Sequence, residues 1–185
     1  MAKSRTRPIK SPTPGRECSS GEKVQPRGNQ AARPANQSVD WTLGIDPGAK
    51  TGICLLAGET ISELVTVSPE EARLALRRYF ESGVRRAAIE HNPSTHIYYR
   101  KKTGYREMLK IAQNVAANRC CAEGLISFAE GMGYRVIRVK PYRTKMKPEW
   151  FKAETGWAGR TSSHARDAYL TAMRGRLIAR TCGDQ

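Results

Sequence analysis

Leu43 to Gly52 reads LGIDPGAKTG, and the fold is decided there. The stretch sets a carboxylate, Asp46, against Pro47 and Gly48, between two apolar runs. Trp41–Asp46 (WTLGID) and Thr51–Ala57 (TGICLLA) read as strands of a hairpin, with Pro47 and Gly48 at the central positions that suit a type II turn. Side chains alternate along a strand, so Asp46 shares a face with Thr42 and Gly44 while Leu43 and Ile45 point the other way. Asp46 therefore stands at the mouth of the hairpin.

Working outward, Thr60–Val67 (TISELVTV) supplies a third strand. Ser68, Pro69 and Glu71 form a capping-box start for a helix with the apolar stripe Ala72, Ala75, Leu76, Tyr79 and Phe80, stopped by Gly83. Arg86–Glu90 (RAAIE) is a short buried strand that ends in a carboxylate. A polar, aromatic and basic loop runs from His91 to Tyr105, followed by a long helix from about Arg106 to Glu130. Its stripe is Met108, Ile111, Val115, Ala122, Ile126 and Ala129, and GMG (131–133) terminates it. Tyr134–Val139 alternates as a fifth strand, residues 140–160 are basic and irregular with one helical turn near Trp150, and a last helix begins at Ser162 or Ser163. Its stripe is Ala165, Ala168, Tyr169, Ala172, Met173 and Leu177. Strands interleaved with helices after an initial hairpin make an α/β layered domain over residues 41–185 with a mixed sheet. Residues 1–40 carry Pro8, Pro12, Pro14, Pro26 and Pro34 among basic side chains and no large aromatic, so they read as a disordered basic arm.

The chain has 185 residues and a formal charge of +15, with a pI near 10.0. A surface this positive takes a polyanion as its default partner, because binding releases condensed counterions. No apolar run approaches the length of a membrane span, and the N-terminus lacks the apolar core of a secretory signal. Cys18, Cys54, Cys120, Cys121 and Cys182 are an odd set without a CxxC pair, which reads as reduced thiols in a cytoplasmic protein.

Asp46, Glu90 and Asp167 each lie at an element boundary beside small or apolar residues. If the strands of Asp46 and Glu90 are neighbours, both carboxylates emerge at one sheet end. His164 and Asp167, three apart at the start of the last helix, share a face of it. Taken singly, each has a plain structural reading as a turn, edge or cap residue. Together they point to Mg²⁺ or Mn²⁺: crowded carboxylates repel one another and any phosphate, and hard oxygen donors suit such cations. Two ions roughly 3.5 to 4 Å apart can stabilise the attacking and leaving oxygens of phosphodiester hydrolysis. The helix N-terminus favours a neutral His164, able to ligate an ion or to shuttle a proton.

LGIDPGAKTG, AAIEHN (Ala87–Asn92) and SSHARDAYLTA (Ser162–Ala172) resemble, in order and spacing, the acidic motifs of RuvC-type Holliday junction resolvases of the ribonuclease H-like superfamily. The resemblance extends from about Trp41 to Met173. It implies a ribonuclease H-like five-stranded mixed sheet flanked by helices, and a two-metal site made by Asp46, Glu90, His164 and Asp167. It also implies Mg²⁺-dependent cleavage of branched DNA, commonly by a homodimer. Two features depart from the resolvase pattern. His91-Asn92-Pro93 follows Glu90 where resolvases usually continue with an apolar or aromatic residue, and the basic, Trp-containing insert before the last helix is more like phage relatives.

Two basic clusters are candidate DNA contacts. HIYYRKKTGYR (His96–Arg106) interleaves Tyr98, Tyr99 and Tyr105 with Arg100, Lys101, Lys102 and Arg106, so bases can stack while cations hold phosphates. Lys140, Arg143, Lys145, Lys147, Lys152 and Arg160 precede the last helix and are expected to line the same groove. Trp150 and Trp157 read equally as packing anchors or base platforms. A Walker A loop is discounted, since Ala49 separates Gly48 from Lys50 and Asp46 would repel phosphate. The chain is also too short for the two lobes of an actin-like or sugar-kinase fold. The remaining rival is a non-catalytic branched-DNA-binding protein on a nuclease-derived fold.

Overall fold

Five short strands, each bounded by glycine, proline or a helix start, assemble into one sheet. A computed structural model describes residues 40–93, 104–142 and 144–181. The elements are β1 (Trp41–Asp46), β2 (Thr51–Ala57), β3 (Thr60–Val67), α1 (Pro69–Glu81), β4 (Arg86–Glu90), α2 (Tyr105–Gly131), β5 (Arg135–Val139), α3 (Pro148–Thr155) and α4 (Ser163–Thr181). The sheet order is β3-β2-β1-β4-β5. β2 is antiparallel to both its neighbours, whereas β1, β4 and β5 run parallel. This is a mixed five-stranded α/β sheet flanked by helices, as the sequence predicts. Among the described residues no helix is long and apolar enough to cross a membrane, and Cys54, Cys120 and Cys121 are free thiols.

The two faces of the sheet follow from the alternation along the strands. Leu43, Ile45, Ile53, Leu55, Ala87 and Ile89 bury one face with Leu76 and Tyr79 of α1 and Leu125, Ile126 and Ala129 of α2. The other face carries Gly44, Gly52, Cys54, Leu56 and Ala88, and α4 lies across it. Cys54 and Leu56 pack there with Phe151 of α3 and Ala168, Tyr169 and Ala172 of α4. The approach is closer than side chains allow: a Cβ on Gly44 would lie 2.2 Å from the Ala168 carbonyl oxygen, and one on Gly52 would lie 2.0 Å from that of His164. Gly175 returns the contact, since a Cβ there would meet Ala88 Cβ at 2.2 Å. Small residues on sheet and helix thus let the backbones touch, and this sets where His164 and Asp167 stand above the strands.

Ser68 caps α1 reciprocally with Glu71, as the sequence predicts. Three expectations need correction. Gly48 does not have the positive φ that a type II turn demands. Asp46 pairs with Gly52, so the connection is a wider loop over residues 47–50, fastened by Thr51 Oγ1 donating to the Gly48 carbonyl at 3.1 Å. In α2 only the C-terminal half of the expected stripe is buried, and Val115 and Leu109 are exposed. In α4 Leu177 is 61% exposed and Met173 only part-buried, while Arg166, Asp167 and Arg176 are buried. The helix is enclosed on several sides, and its buried charges have partners: Arg176 pairs with Asp40 and Glu59 at the far end of the sheet.

Candidate active site

Asp46 and Glu90 close adjacent parallel strands whose register aligns Ile45 with Ile89. The two carboxylates therefore leave the same end of the sheet on the same face, the face covered by α4. Close packing of Gly52 beneath the first turn of α4 brings His164 over them, and its Nδ1 lies 2.9 Å from Asp46 Oδ2. When Asp46 is ionised it can only accept, so Nδ1–H donates and Nε2 takes no part in this bond. Asp167, one turn further along α4, is buried, and its Oδ2 accepts from the Lys145 ammonium.

Asp46, Glu90, Lys145 and His164 line one open cleft of about 840 Å³, which also includes Gly48, Lys50, Asn92, Asn114, Asn118 and Arg119. Its floor is acidic and part-buried. Burial raises the Asp46 carboxyl above its usual range, and the hydrogen bond from His164 offsets this only in part. Glu90 is pushed up to about 7, by burial first and then by the negative charge of Asp46. Burial works against the Lys145 charge, but contact with Asp167 and the fields of Asp46 and Glu90 hold its pKa above the ordinary value. Burial, reinforced by neighbouring negative charge, makes the Asp46 and Glu90 carboxylates costly to ionise.

A stability prediction follows from Glu90. Its folded pKa lies above the unfolded value of 4.5, so ionising it costs folding free energy above about pH 7, and the cost fades as pH falls toward 4.5. Glu90→Gln should raise the stability of the metal-free protein at pH 7.5 by on the order of 1 kcal/mol, discounted for partial solvent exposure. Thermal melts in EDTA check this: the parent gains stability between pH 7.5 and 5.5 relative to the variant, and parallel curves would contradict it.

Three of the four expected ligands, Asp46, Glu90 and His164, meet in the cleft, and Asp167 lies beneath Lys145. They do not close round one point. Among the described residues no three His, Cys, Asp or Glu side chains are posed to hold one metal ion together. Two of the carboxylates are engaged by side-chain donors instead: the His164 ring is hydrogen-bonded to Asp46, and the Lys145 ammonium contacts Asp167. The donor set itself suits a hard divalent cation, with three carboxylates and one free imidazole nitrogen.

No protein-family model matches this chain. No curated protein sequence is significantly similar to it either. Among solved structures the chain is similar to that of RuvC from Thermus thermophilus, at 17% sequence identity and a TM-score of 0.49, over 77% of this chain and 96% of that one.

The expected DNA contacts divide. Tyr98, Tyr99, Arg100, Lys101, Lys102 and Arg143 lie outside the described residues. Tyr105, Arg106, Lys140, Lys147 and Arg160 are exposed, and the Lys147 ammonium sits 5.5 Å from the Trp150 ring centroid. Lys145 lines the cleft, and its ammonium contacts Asp167, its segment being drawn against α4. Arg166 does the drawing: its Nε donates to the Met146 carbonyl at 2.8 Å, and its Nη1 donates to the Thr161 carbonyl at 2.9 Å. Trp157 packs in the α3–α4 cluster, whereas Trp150 is 61% exposed. Lys50, Asn114, Asn118 and Arg119 were not singled out from sequence. Lys50 belongs to the LGIDPGAKTG motif, but the α2 residues form a cleft wall only once the helix crosses the sheet end, and no local pattern reports that.

Proposed function

We propose that this chain is a divalent-metal-dependent endonuclease that hydrolyses phosphodiesters in branched DNA, four-way junctions foremost. The observation that carries the reading is a single open cleft in which Asp46, Glu90 and His164 sit together on a chain of charge +15. Asp46, Glu90, His164 and Asp167 would hold Mg²⁺ or Mn²⁺. When bound, such ions supply Lewis-acid polarisation of the phosphate and a more acidic water. Asp46 keeps the His164 ring oriented through Nδ1, so that Nε2 can ligate or carry a proton at the attacked phosphate. Lys50 and Arg119 border the cleft and attract the phosphate backbone, with Tyr105, Arg106, Lys140, Lys147 and Arg160 as further contacts. Tyr98, Tyr99, Arg100, Lys101, Lys102 and Arg143 extend this set, and residues 1–40 add affinity independent of sequence. Two copies would place one cleft on each of two strands. The exposed apolar side chains of α2, Tyr105 and Leu109, support self-association.

The absence of three ligands posed for one ion, among the described residues, favours the rival reading of a DNA binder without catalysis. Incubating the full chain with an end-labelled four-way junction separates the two. The nuclease nicks the junction in Mg²⁺ and leaves it intact in EDTA, whereas a binder shifts the DNA in both and cuts in neither. Flaps, forks and RNA–DNA hybrids assayed alongside rank the substrate class.

A further inference from the structure

Asp167 Oδ2 and the Lys145 ammonium are in direct contact, and the two side chains differ sharply in their surroundings. Asp167 is 5% exposed and fixed on α4, while Lys145 is 69% exposed. A buried carboxylate needs a cationic partner, and this one receives it from a flexible side chain open to solvent. The backbone beside Lys145 is not free in the same way. Arg166, itself buried and adjacent to Asp167 on α4, grips the Met146 carbonyl and the Thr161 carbonyl. The segment is therefore pinned while the lysine tip can leave.

We propose that Lys145 is a built-in counter-cation that neutralises Asp167 and is displaced from it by a divalent ion, with Arg166 as the positioning residue that keeps it within reach. This rests on the metal-site reading given above. An oxygen lone pair engaged by an ammonium is not available to a metal, and two cations at one carboxylate repel each other, so the two occupancies compete. In exchange, Lys145 relieves repulsion among Asp167, Asp46 and Glu90 and keeps them gathered at the sheet end. When displaced, the ammonium remains on the cleft that it lines.

The test titrates the full chain, without DNA, with MgCl₂ and separately MnCl₂ by calorimetry, and pairs this with thermal melts in EDTA and in excess Mg²⁺. Lys145→Met should bind the ion about tenfold more tightly than the parent. It should melt below the parent in EDTA and no lower than the parent in excess Mg²⁺, a crossing that a purely structural lysine would not produce. Lys145→Arg, which keeps the charge, should stay within about twofold of the parent affinity, and so should Lys147→Met, which removes an equal but screened charge. Unchanged affinity in Lys145→Met, or equal tightening in Lys147→Met, overturns the proposal and leaves the nuclease reading standing. A parent protein that binds neither ion overturns both.

Discussion

An Asp46→Asn protein should lose Mg²⁺-dependent cleavage of a four-way junction by about a thousandfold or more, and should still bind that junction within about threefold of the parent. Asp46 ends the central strand of the sheet, beside Glu90 and in hydrogen-bond contact with His164. Asparagine has the same shape and can still accept from His164, but it removes the negative charge that a hard cation requires. The fold should tolerate the change, because burial already disfavours the ionised form of Asp46. Cleavage of end-labelled DNA in Mg²⁺ together with gel shifts in EDTA reads both halves. Undiminished cutting would remove Asp46 from the mechanism, and lost binding would show that the variant is misassembled.

Gly44→Ala carries the second large effect. The added Cβ would fall 2.2 Å from the Ala168 carbonyl oxygen, 2.5 Å from Ala172 Cβ and 2.6 Å from the Ala172 amide nitrogen. Two of these neighbours are helix backbone and cannot turn aside, so α4 must move off the sheet. Overpacking of this kind costs about 3 kcal/mol or more. Moving α4 also lifts His164 and Asp167 from Asp46 and Glu90, so any cleavage activity should disappear in whatever protein still folds. Gly104→Ala is the control, since a Cβ there meets nothing within 4 Å. Urea titration of both variants checks the claim, and a Gly44→Ala midpoint equal to that of Gly104→Ala would refute the account of close packing.

The strand pattern was legible because the elements are short and sharply punctuated. WTLGID, TGICLLA, TISELVTV and RAAIE coincide with the observed strands, and Ser68 and Glu71 mark the start of α1. Less readable was what covers each element. Periodicity names the apolar side of α2, yet Val115 is exposed and lines the cleft rather than the core. In α4 an apolar stripe could not reveal that Arg166 and Asp167 are buried, since each owes its burial to a partner distant in sequence. Asp46, Glu90 and His164 share a cleft as the strand ends and helix start suggest. The basic insert is expected at the groove from its charge, but Asp167 and Lys145 are 22 residues apart, and nothing local in either segment pairs this lysine with this carboxylate. The 47–50 loop lacks the type II geometry that Pro-Gly signals, because backbone angles in a connection depend on how the paired strands hold its ends.

Arg166 fastens both feet of the excursion that leaves the sheet after β5 and returns at α4, through Met146 at one end and Thr161 at the other. A clasp at the base makes the intervening stretch, α3 included, a cassette whose outer surface can be lengthened, shortened or recharged without disturbing the acidic floor. Under the proposed function, variation in which DNA shapes are gripped can accumulate there while the hydrolytic chemistry stays constant.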